Sequence, residues 1–278
     1  MIEGRPSRTA QHNALFRALE QRQPAPLFAD PFARRFLRGR YRLYGALPAR
    51  AVARFIDGRW PGPRAAVCVR TRYIDDRVAD ALAAGLDQLV ILGAGFDARA
   101  HRLAGLARVR VFEVDHPSTQ SMKRTVVGTA PAHVRYVAAD LAREPLGEVL
   151  EAAGVARGAR TLVLWEGVTN YLDGSSVDAT LRTVGGLASS VVFTYVERAL
   201  IDASAAFRGG TESLAYVRGL GEPFTFGLDP AEVPAYLAER GLGLLEDLDL
   251  ETVAARYYPG ARPPVSAFYH VVTARCRA

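Results

Sequence analysis

Short apolar runs alternate with helix-length segments through the second part of the chain, and this alternation limits the possible folds more than any other feature. From residue 86 onward, the first five runs have the length of buried strands: Gln88–Leu92, Val109–Val114, Val134–Ala138, Thr161–Trp165 and Val191–Val196. Strands that alternate with helices form a parallel sheet covered by helices on both faces. Residues 86–278 are therefore expected to form an α/β core with a Rossmann-like sheet.

Two more apolar runs, Leu242–Leu248 and Ser266–Ala274, lie close together near the end of the sequence. Only a short helix fits between them, so we expect an antiparallel pair at one edge of an otherwise parallel sheet. The less regular segment near residues 200–228 is expected to be an insertion that forms a lid over the active site.

The first 85 residues show helical patterns instead. Apolar residues recur at i and i+4 between Ser7 and Glu20, and Val67–Ala84 reads as another helix. Asp30-Pro31 has the residues that cap and open a helix. We expect residues 1–85 to form a helical cap on the core, so that the 278 residues make up a single domain.

The composition argues against several classes of protein. The two cysteines, Cys68 and Cys276, have no metal-ligand spacing, and the sequence contains no run of 18 apolar residues and no signal-peptide core. The net charge is +6, but the arginines are scattered and form no block of like charges. We expect a cytoplasmic enzyme whose partner is a small molecule, with no metal, membrane or nucleic acid. A monomer and a homodimer both stay open.

The turn after the first predicted strand carries the strongest single motif, LVILGAGFDARA. Gly93 permits a tight turn, and Gly95 lets the backbone approach a ligand closely. Ala98 completes a G-x-G-x-x-A pattern that also occurs in nicotinamide dinucleotide sites. Asp97 favours a ligand with a sulfonium and an amino group over one with a pyrophosphate, and a helix N-cap is its alternative role.

Acidic residues follow the next three predicted strands. At the end of the second strand, Glu113 can accept hydrogen bonds from ribose hydroxyls, and Asp115 follows on the same side. Asp140 can accept from the exocyclic amine of adenine, with Leu141 over the ring face, and Glu166 ends the fourth strand. Helix capping is the alternative for Asp115 and Asp140. Because parallel strands end at one edge of a sheet, the glycine turn and these acids together predict an adenosyl pocket.

Two arginines, Arg70 and Arg72, precede the first strand and can hold a carboxylate by charge-assisted hydrogen bonds. The neighbouring Asp75-Asp76 pair has carboxylates that metals bind, but no histidine or further acid accompanies it at ligand spacing. A salt-bridged helix is the better interpretation of this segment.

With these motifs, the sequence resembles the leucine carboxyl methyltransferase family of S-adenosylmethionine-dependent enzymes, and within it the bacterial branch that includes polyketide O-methyltransferases. The resemblance extends from SRTA and DPFA through RTRYIDD, ILGAGFDAR, FEVDHP and EGVTNYL to the last strands. It implies S-adenosyl-L-methionine as cofactor, with these contacts: Arg70 to the methionine carboxylate, Gly93 against the donor, Asp115 beside Glu113 at the ribose, Asp140 and Leu141 at the adenine, and Glu166 near the amino group and sulfonium.

The methyl acceptor stays open, because the segments that choose it differ from the phosphatase-methylating branch. We expect transfer to a carboxylate or a hydroxyl of a small molecule, such as a polyketide or another secondary metabolite. A carboxylate needs no base, whereas a phenol or alcohol needs one. The candidates for this base are His116, which is the best placed, and Tyr171, Tyr195 and His270. A purely structural role is the alternative for each.

Three other functions stay open. An NAD(P)-dependent oxidoreductase is supported only by the G-x-G-x-x-A match and leaves Asp140 and Glu166 unexplained. A non-catalytic S-adenosylmethionine-binding protein would have the same pocket and turn over no acceptor. A nucleic-acid methyltransferase would suit the pI of about 9.6, but no aromatic-flanked polar motif suited to a flipped base is present.

Overall fold

The structure is a computed structural model that describes residues 8–141, 143–187, 189–260 and 262–276. Its sheet has seven strands in the order β3-β2-β1-β4-β5-β7-β6. The strands are β1 (Gln88–Leu92), β2 (Arg110–Asp115), β3 (Val134–Ala138), β4 (Thr161–Trp165), β5 (Ser190–Val196), β6 (Leu242–Asp249) and β7 (Tyr269–Cys276). All neighbouring pairs are parallel except those of β7, which runs antiparallel to β5 and β6. The expected α/β sheet with an antiparallel edge is confirmed.

Helices cover both faces of the sheet. In chain order they are α1 (Arg8–Glu20), α2 (Gly39–Ala46), α3 (Ala49–Arg59), α4 (Pro63–Ala83), α5 (Arg99–Arg102), α6 (Pro117–Val127), α7 (Leu146–Ala152), α8 (Gly174–Leu187), α9 (Arg198–Ile201), α10 (Gly210–Gly219), α11 (Val233–Ala238) and α12 (Leu250–Tyr257). On one face α4 and α12 bury residues such as Ile74 and Val253. On the other face α7, α8 and α11 bury residues such as Leu150, Leu181 and Leu237.

The two central strands explain why the sheet was easy to predict. Every residue of β1 and β4 is buried, because helices lie on both sides of them. A strand buried on both faces is a continuous apolar run rather than an alternating one. The predicted bounds of β1, β3 and β4 are those of the structure.

Two predicted helix starts differ from the structure. At Asp30-Pro31 the chain forms only a 3-10 turn, Ala33–Phe36, because the backbone is extended again at Leu37. Asp30 still accepts the backbone N–H groups of Phe32 and Ala33, as a helix-capping residue does. Helix α4 begins at Pro63 rather than at residue 67, with proline at its first position.

The segments expected as cap and lid meet each other. In the cap, α1 packs against α2, α3 and the 3-10 turn, whereas α4 packs on the sheet itself. From the lid, the Tyr216 ring lies 4.4 Å from the Trp60 ring, and the Tyr216 hydroxyl hydrogen-bonds to the His12 ring. Cap and lid therefore enclose one end of the sheet together.

Candidate active site

A cavity of about 580 Å³ lies beyond the carboxyl ends of the parallel strands. This is where open α/β sheets bind their ligands, and the volume lies within the range of small-molecule sites. The cavity is lined by ten of the residues that the sequence predicted for the site: Arg70, Gly93, Gly95, Asp97, Asp115, His116, Asp140, Leu141, Glu166 and Tyr171. Four other candidates do not line it: Arg72, Glu113, Tyr195 and His270.

The glycine turn has the conformation that its residues allow. Gly93 and Gly95 have φ angles of +62° and +46°, which side chains other than glycine rarely adopt. A Cβ on Gly93 would lie 2.4 Å from Val168 Cγ2, whereas a Cβ on Gly95 would meet nothing closer than Gly93 O at 3.7 Å. The space over Gly95 therefore belongs to the cavity, and a ligand can approach the backbone there.

Asp115 anchors this turn to the second strand. Its carboxylate accepts hydrogen bonds from the backbone N–H groups of Gly95 and His116, the latter at 2.6 Å. Burial raises the pKa of Asp115, and these two hydrogen bonds oppose that shift. Asp115 is therefore the acid that the end of β2 presents to the cavity.

Glu113 has a different environment, and the structure does not bring it to the cavity. Its Oε2 lies 2.5 Å from Lys123 Nζ, and both side chains are almost completely buried. Burial raises the pKa of Glu113 to about 7, and the Lys123 charge opposes the shift. The reason for the misplacement is that β2 ends at Asp115 rather than at Val114, so Asp115 is the acid at the strand end.

A buried ion network forms the floor of the cavity. Glu166 accepts from Arg70 Nε through one oxygen and from Arg99 Nη1 through the other, both at 2.7 Å. Arg99 also reaches Asp97 at 2.5 Å and Asp75 at 2.8 Å. Burial alone would raise the pKa values of the carboxyls, but the arginine charges outweigh it, which holds the pKa of Asp97 at about 2 and that of Glu166 below its usual value.

The network also explains the aspartate pair of α4. Asp75 bonds to Arg99 and Arg102, and Asp76 bonds to Arg72 one helical turn away. Within the described ranges no group of histidine, cysteine and acidic residues could hold a metal ion. The salt-bridged helix is the interpretation that the contacts support.

The predicted adenine site lies at the wall formed after β3. The Asp140 N–H donates to Glu144 Oε1 at 2.7 Å, and Asp140 Oδ2 lies 3.6 Å from Arg143 Nε. The Asp140 side chain is one-third exposed, so its carboxylate remains accessible from the cavity. Leu141 is half-buried against the core beside it.

Two of the four base candidates lie away from the cavity. The Tyr195 hydroxyl donates to Asp247 at 2.8 Å, and the His270 ring bonds to Asp247 and Glu197. Neither residue lines the cavity, because β5 and β7 turn these side chains toward β6. Their contacts are structural.

The other two candidates line the cavity, but the contacts of both argue against their use as bases. His116 Nδ1 accepts from the Ser118 N–H and also lies 2.8 Å from the Ser118 hydroxyl, so this ring nitrogen already has partners. Burial and the neighbouring Tyr269 raise the pKa of Tyr171 well above its usual range, so its phenol stays protonated.

Glu222 and Thr9 are cavity residues that the sequence did not indicate. Thr9 Oγ1 donates to Glu222 Oε2 at 2.5 Å, which joins α1 to the lid across 213 positions of sequence. Both residues line the cavity near Tyr171. No local pattern links them, because neither follows a strand.

Comparisons with known proteins agree with this geometry. Residues 10–185 match the family model of leucine carboxyl methyltransferases. The chain belongs to the leucine carboxyl methyltransferase family. A Frankia alni relative is 40% identical over 183 residues, which cover 64% of this chain and 64% of that protein. A Parafrankia relative is 34% identical over 272 residues, which cover 94% of this chain and 85% of that protein.

Both relatives are named "putative S-adenosyl-L-methionine-dependent methyltransferase". The chain spans just under two thirds of the length of several members that it matches, including 64% of the Frankia alni protein and 62% of one from Rhodococcus jostii. The expected family is therefore confirmed.

One solved structure extends the comparison to the whole chain. A "putative methyltransferase" from Thermobifida fusca superimposes with a TM-score of 0.63, over 100% of this chain and 97% of that one, at 16% identity. At this identity the likeness concerns the fold alone, and it agrees with the expected α/β fold and its mostly parallel sheet. Separately, none of the helices in the described ranges has the length and apolar character to cross a membrane.

Proposed function

We propose that this chain is an S-adenosyl-L-methionine-dependent O-methyltransferase that methylates a carboxylate or hydroxyl oxygen of a small molecule, such as a polyketide or another secondary metabolite. The observation that carries the proposal is the convergence of the glycine turn and the polar strand ends on one cavity. S-adenosylmethionine supplies a methyl group made electrophilic by its sulfonium. The protein must hold this donor, align the acceptor oxygen with it and exclude water.

The residues of the strand ends fit such a donor. The Asp115 carboxylate would accept hydrogen bonds from the two ribose hydroxyls. Asp140 would accept a hydrogen bond from the amine of adenine, and Leu141 would provide an apolar surface for its ring. Arg70 would hold the methionine carboxylate, and Glu166 the amino group. These two side chains also bond to each other, so the structure pairs opposite charges where the donor's carboxylate and amino group would bind.

The acceptor would enter on the side formed by α1, the loop after β4 and the lid. Thr9, Asn13, Tyr171, Glu222 and Thr225 supply hydroxyl, amide and carboxylate groups there. A protonated Tyr171 can orient an acceptor oxygen by donating to it. Glu222 is the acid of this side, and it is the best-placed residue to take a proton from a hydroxyl acceptor.

The same geometry argues against a nicotinamide cofactor. A pyrophosphate binds to free N–H groups at the start of a helix. Here the Gly95 N–H donates to Asp115, the Arg99 N–H donates to Asp97, and the helix that follows spans only Arg99–Arg102. Carboxylates occupy the positions that phosphate oxygens would need.

The first test is calorimetry. S-adenosylmethionine, S-adenosylhomocysteine and NADH are titrated separately into the purified chain. We expect both adenosyl ligands to bind and NADH not to bind. Asp115→Asn should weaken both adenosyl ligands, whereas Asp202→Asn, an exposed control, should leave them unchanged. Binding of NADH alone would refute the proposal.

Turnover separates an enzyme from a non-catalytic binding protein. Donor carrying a radiolabelled methyl group is incubated with matched hydroxyl and carboxyl forms of aromatic polyketides, and label in the extracted product is counted. Labelled product is the expected result. Tight adenosyl binding with no label transferred to any acceptor would favour the binding protein.

A further inference from the structure

The excess positive charge of the chain lies in one segment of the cap. Residues 34–59 contain eight arginines and a single acid, Asp57, for a net charge of +7. The whole chain carries +6, so all the rest of it together carries −1. The arginines are spaced along the segment rather than contiguous, which hides this concentration from a search for blocks of like charge. We call residues 34–59 the arginine hairpin, after its helices α2 and α3.

The charges of the arginine hairpin face solvent without acidic partners. All eight arginines are exposed: Arg34, Arg35, Arg38, Arg40, Arg42, Arg50, Arg54 and Arg59. None of the eight forms an ion pair within the described part of the chain. Asp57 bonds instead to Arg64, which lies outside the hairpin. The surface is therefore strongly positive and uncompensated.

Large apolar side chains are exposed on the same segment. Leu43 is 69% exposed, Phe55 66%, Leu47 49% and Tyr44 39%, and only Leu245 is comparable in the described parts of the chain. Leu43 and Leu47 lie one helical turn apart, since the Leu47 N–H donates to the Leu43 carbonyl. Exposed apolar groups of this size, collected in one place, mark interaction surfaces.

Both kinds of side chain point away from the body of the molecule. The two helices pack on α1. Their buried positions are Tyr41 and Gly45 of α2 and Ala49, Val52 and Ala53 of α3. The other positions of the two helices are exposed, except Ile56 and Asp57, which are half-buried. Arg50 and Arg54, one turn apart, lie with Leu43 and Phe55 on the outer surface.

We propose that the arginine hairpin docks this chain onto an anionic lipid surface. Surface helices that bind membranes combine basic residues with Leu, Phe or Tyr, and four to eight basic residues in a cluster are typical of sites for anionic headgroups.

A nucleic acid would bind the arginines but would leave the leucines and Phe55 exposed. An acidic protein would need a matching concave surface, whereas a bilayer accommodates isolated protruding side chains. The contact is peripheral, and it differs from the spanning segment whose absence led us to expect no membrane partner.

The position of the hairpin gives this docking a consequence. Helix α1 lies between the hairpin and the cavity: Thr9 and Asn13 line the cavity, and Leu15 and Leu19 belong to the core under α2 and α3. A docked membrane would therefore lie one helix away from the acceptor side. The docking itself does not depend on the proposed methyl transfer.

Sedimentation of the purified full chain with lipid vesicles tests the proposal. One set of vesicles is phosphatidylcholine alone, and the other contains equal parts of phosphatidylcholine and phosphatidylglycerol. We expect binding to the second set only, weakening as salt is added. Arg50→Glu with Arg54→Glu should reduce the affinity at least about tenfold, since each basic residue near an anionic surface contributes on the order of 1 kcal/mol. Leu43→Ser with Phe55→Ser should reduce it several-fold.

The matched control is Arg108→Glu with Arg157→Glu, which makes the same change of charge at exposed arginines outside the hairpin. It should bind vesicles as the unchanged chain does. Circular dichroism of all variants checks that they fold. No binding by the unchanged chain, equal binding to neutral vesicles, or equal losses in both charge-reversed pairs would each overturn the proposal. Binding to polyaspartate or duplex DNA but not to vesicles would overturn it in favour of an acidic macromolecule.

Discussion

The two sides of the cavity are built in different ways. The side that we propose for the donor, here called the donor side, consists of residues at the ends of β1, β2, β3 and β4, which are held next to each other by the hydrogen bonds of the sheet. The side that we propose for the acceptor, the acceptor side, joins three segments that are distant in sequence: α1, the loop after β4, and residues 221–225. The sheet therefore fixes the donor side, whereas the acceptor side can change without disturbing the fold. Members of one family can then share a donor and differ in acceptor.

The two sides also differ in electrostatics. The donor side has a buried network in which every carboxylate meets an arginine or a backbone N–H. On the acceptor side, the carboxylate of Glu222 accepts from the hydroxyl of Thr9. We expect substitutions in the network to affect folding, and substitutions on the acceptor side to affect turnover only.

Arg99→Gln should have the largest effect on stability. Arg99 is buried and neutralises Asp75, Asp97 and Glu166, so its loss leaves buried carboxylates without compensation. We expect the free energy of unfolding to fall by about 3–5 kcal/mol, measured by denaturation with urea. The control Arg160→Gln breaks the exposed pair with Asp87 and should cost under about 1 kcal/mol. Equal losses would mean that the network does not stabilise the donor side.

Glu222→Gln should have the largest effect on turnover without loss of stability. With a hydroxyl acceptor we expect kcat to fall about a hundredfold, because the proton acceptor is removed. With a carboxylate acceptor, which is already ionised, kcat should be unchanged. The affinity for S-adenosylhomocysteine should stay constant in both cases, as measured by calorimetry. A loss of that affinity would show that Glu222 belongs to the donor side, against the division drawn above.

Two single substitutions test which acid of β2 contacts the ribose: Asp115→Asn and Glu113→Gln. Asp115→Asn should weaken S-adenosylhomocysteine about tenfold, because an amide replaces one charge-assisted acceptor. Glu113→Gln should leave that affinity almost unchanged and lower the stability, since it breaks the buried pair with Lys123. The reverse result would place the ribose contact at Glu113.

The difference between the two sides also decides what could be predicted from the sequence. Strands buried on both faces leave an unbroken apolar run, so β1 and β4 were predicted to the residue. Asp140 follows β3 and Glu166 follows β4, and parallel strands end at the same edge of the sheet. The strand pattern alone therefore predicts that these two residues lie at one edge. Glu113 was placed less well, because a shift of one residue in the end of a strand decides which acid emerges into the cavity.

The acceptor side depends on tertiary contacts that no local pattern contains. Thr9 and Glu222 meet only because the lid folds back over α1, through contacts such as Tyr216 with Trp60. The prediction of a helix at Asp30 was wrong because it also depended on a tertiary contact. Its cap is present, but Arg17 holds the Asp30 carboxylate against α1, and the chain turns away after one 3-10 turn.

His270→Gln should have the smallest effect, and it tests whether the edge of the sheet contributes to the chemistry at all. Burial lowers the pKa of His270, but the hydrogen bonds and charges of Asp247 and Glu197 outweigh burial and raise it above 6.5. The folded state therefore binds the proton more tightly than the unfolded state. This stabilisation is fully present below about pH 6.5 and is lost as the pH rises through the higher pKa of the folded state. Replacement by glutamine should remove this pH dependence from unfolding curves recorded above and below that range. Turnover at a fixed pH should not change, because His270 does not line the cavity. A large loss of kcat with unchanged stability would return His270 to the list of bases and would extend the active site to the antiparallel edge.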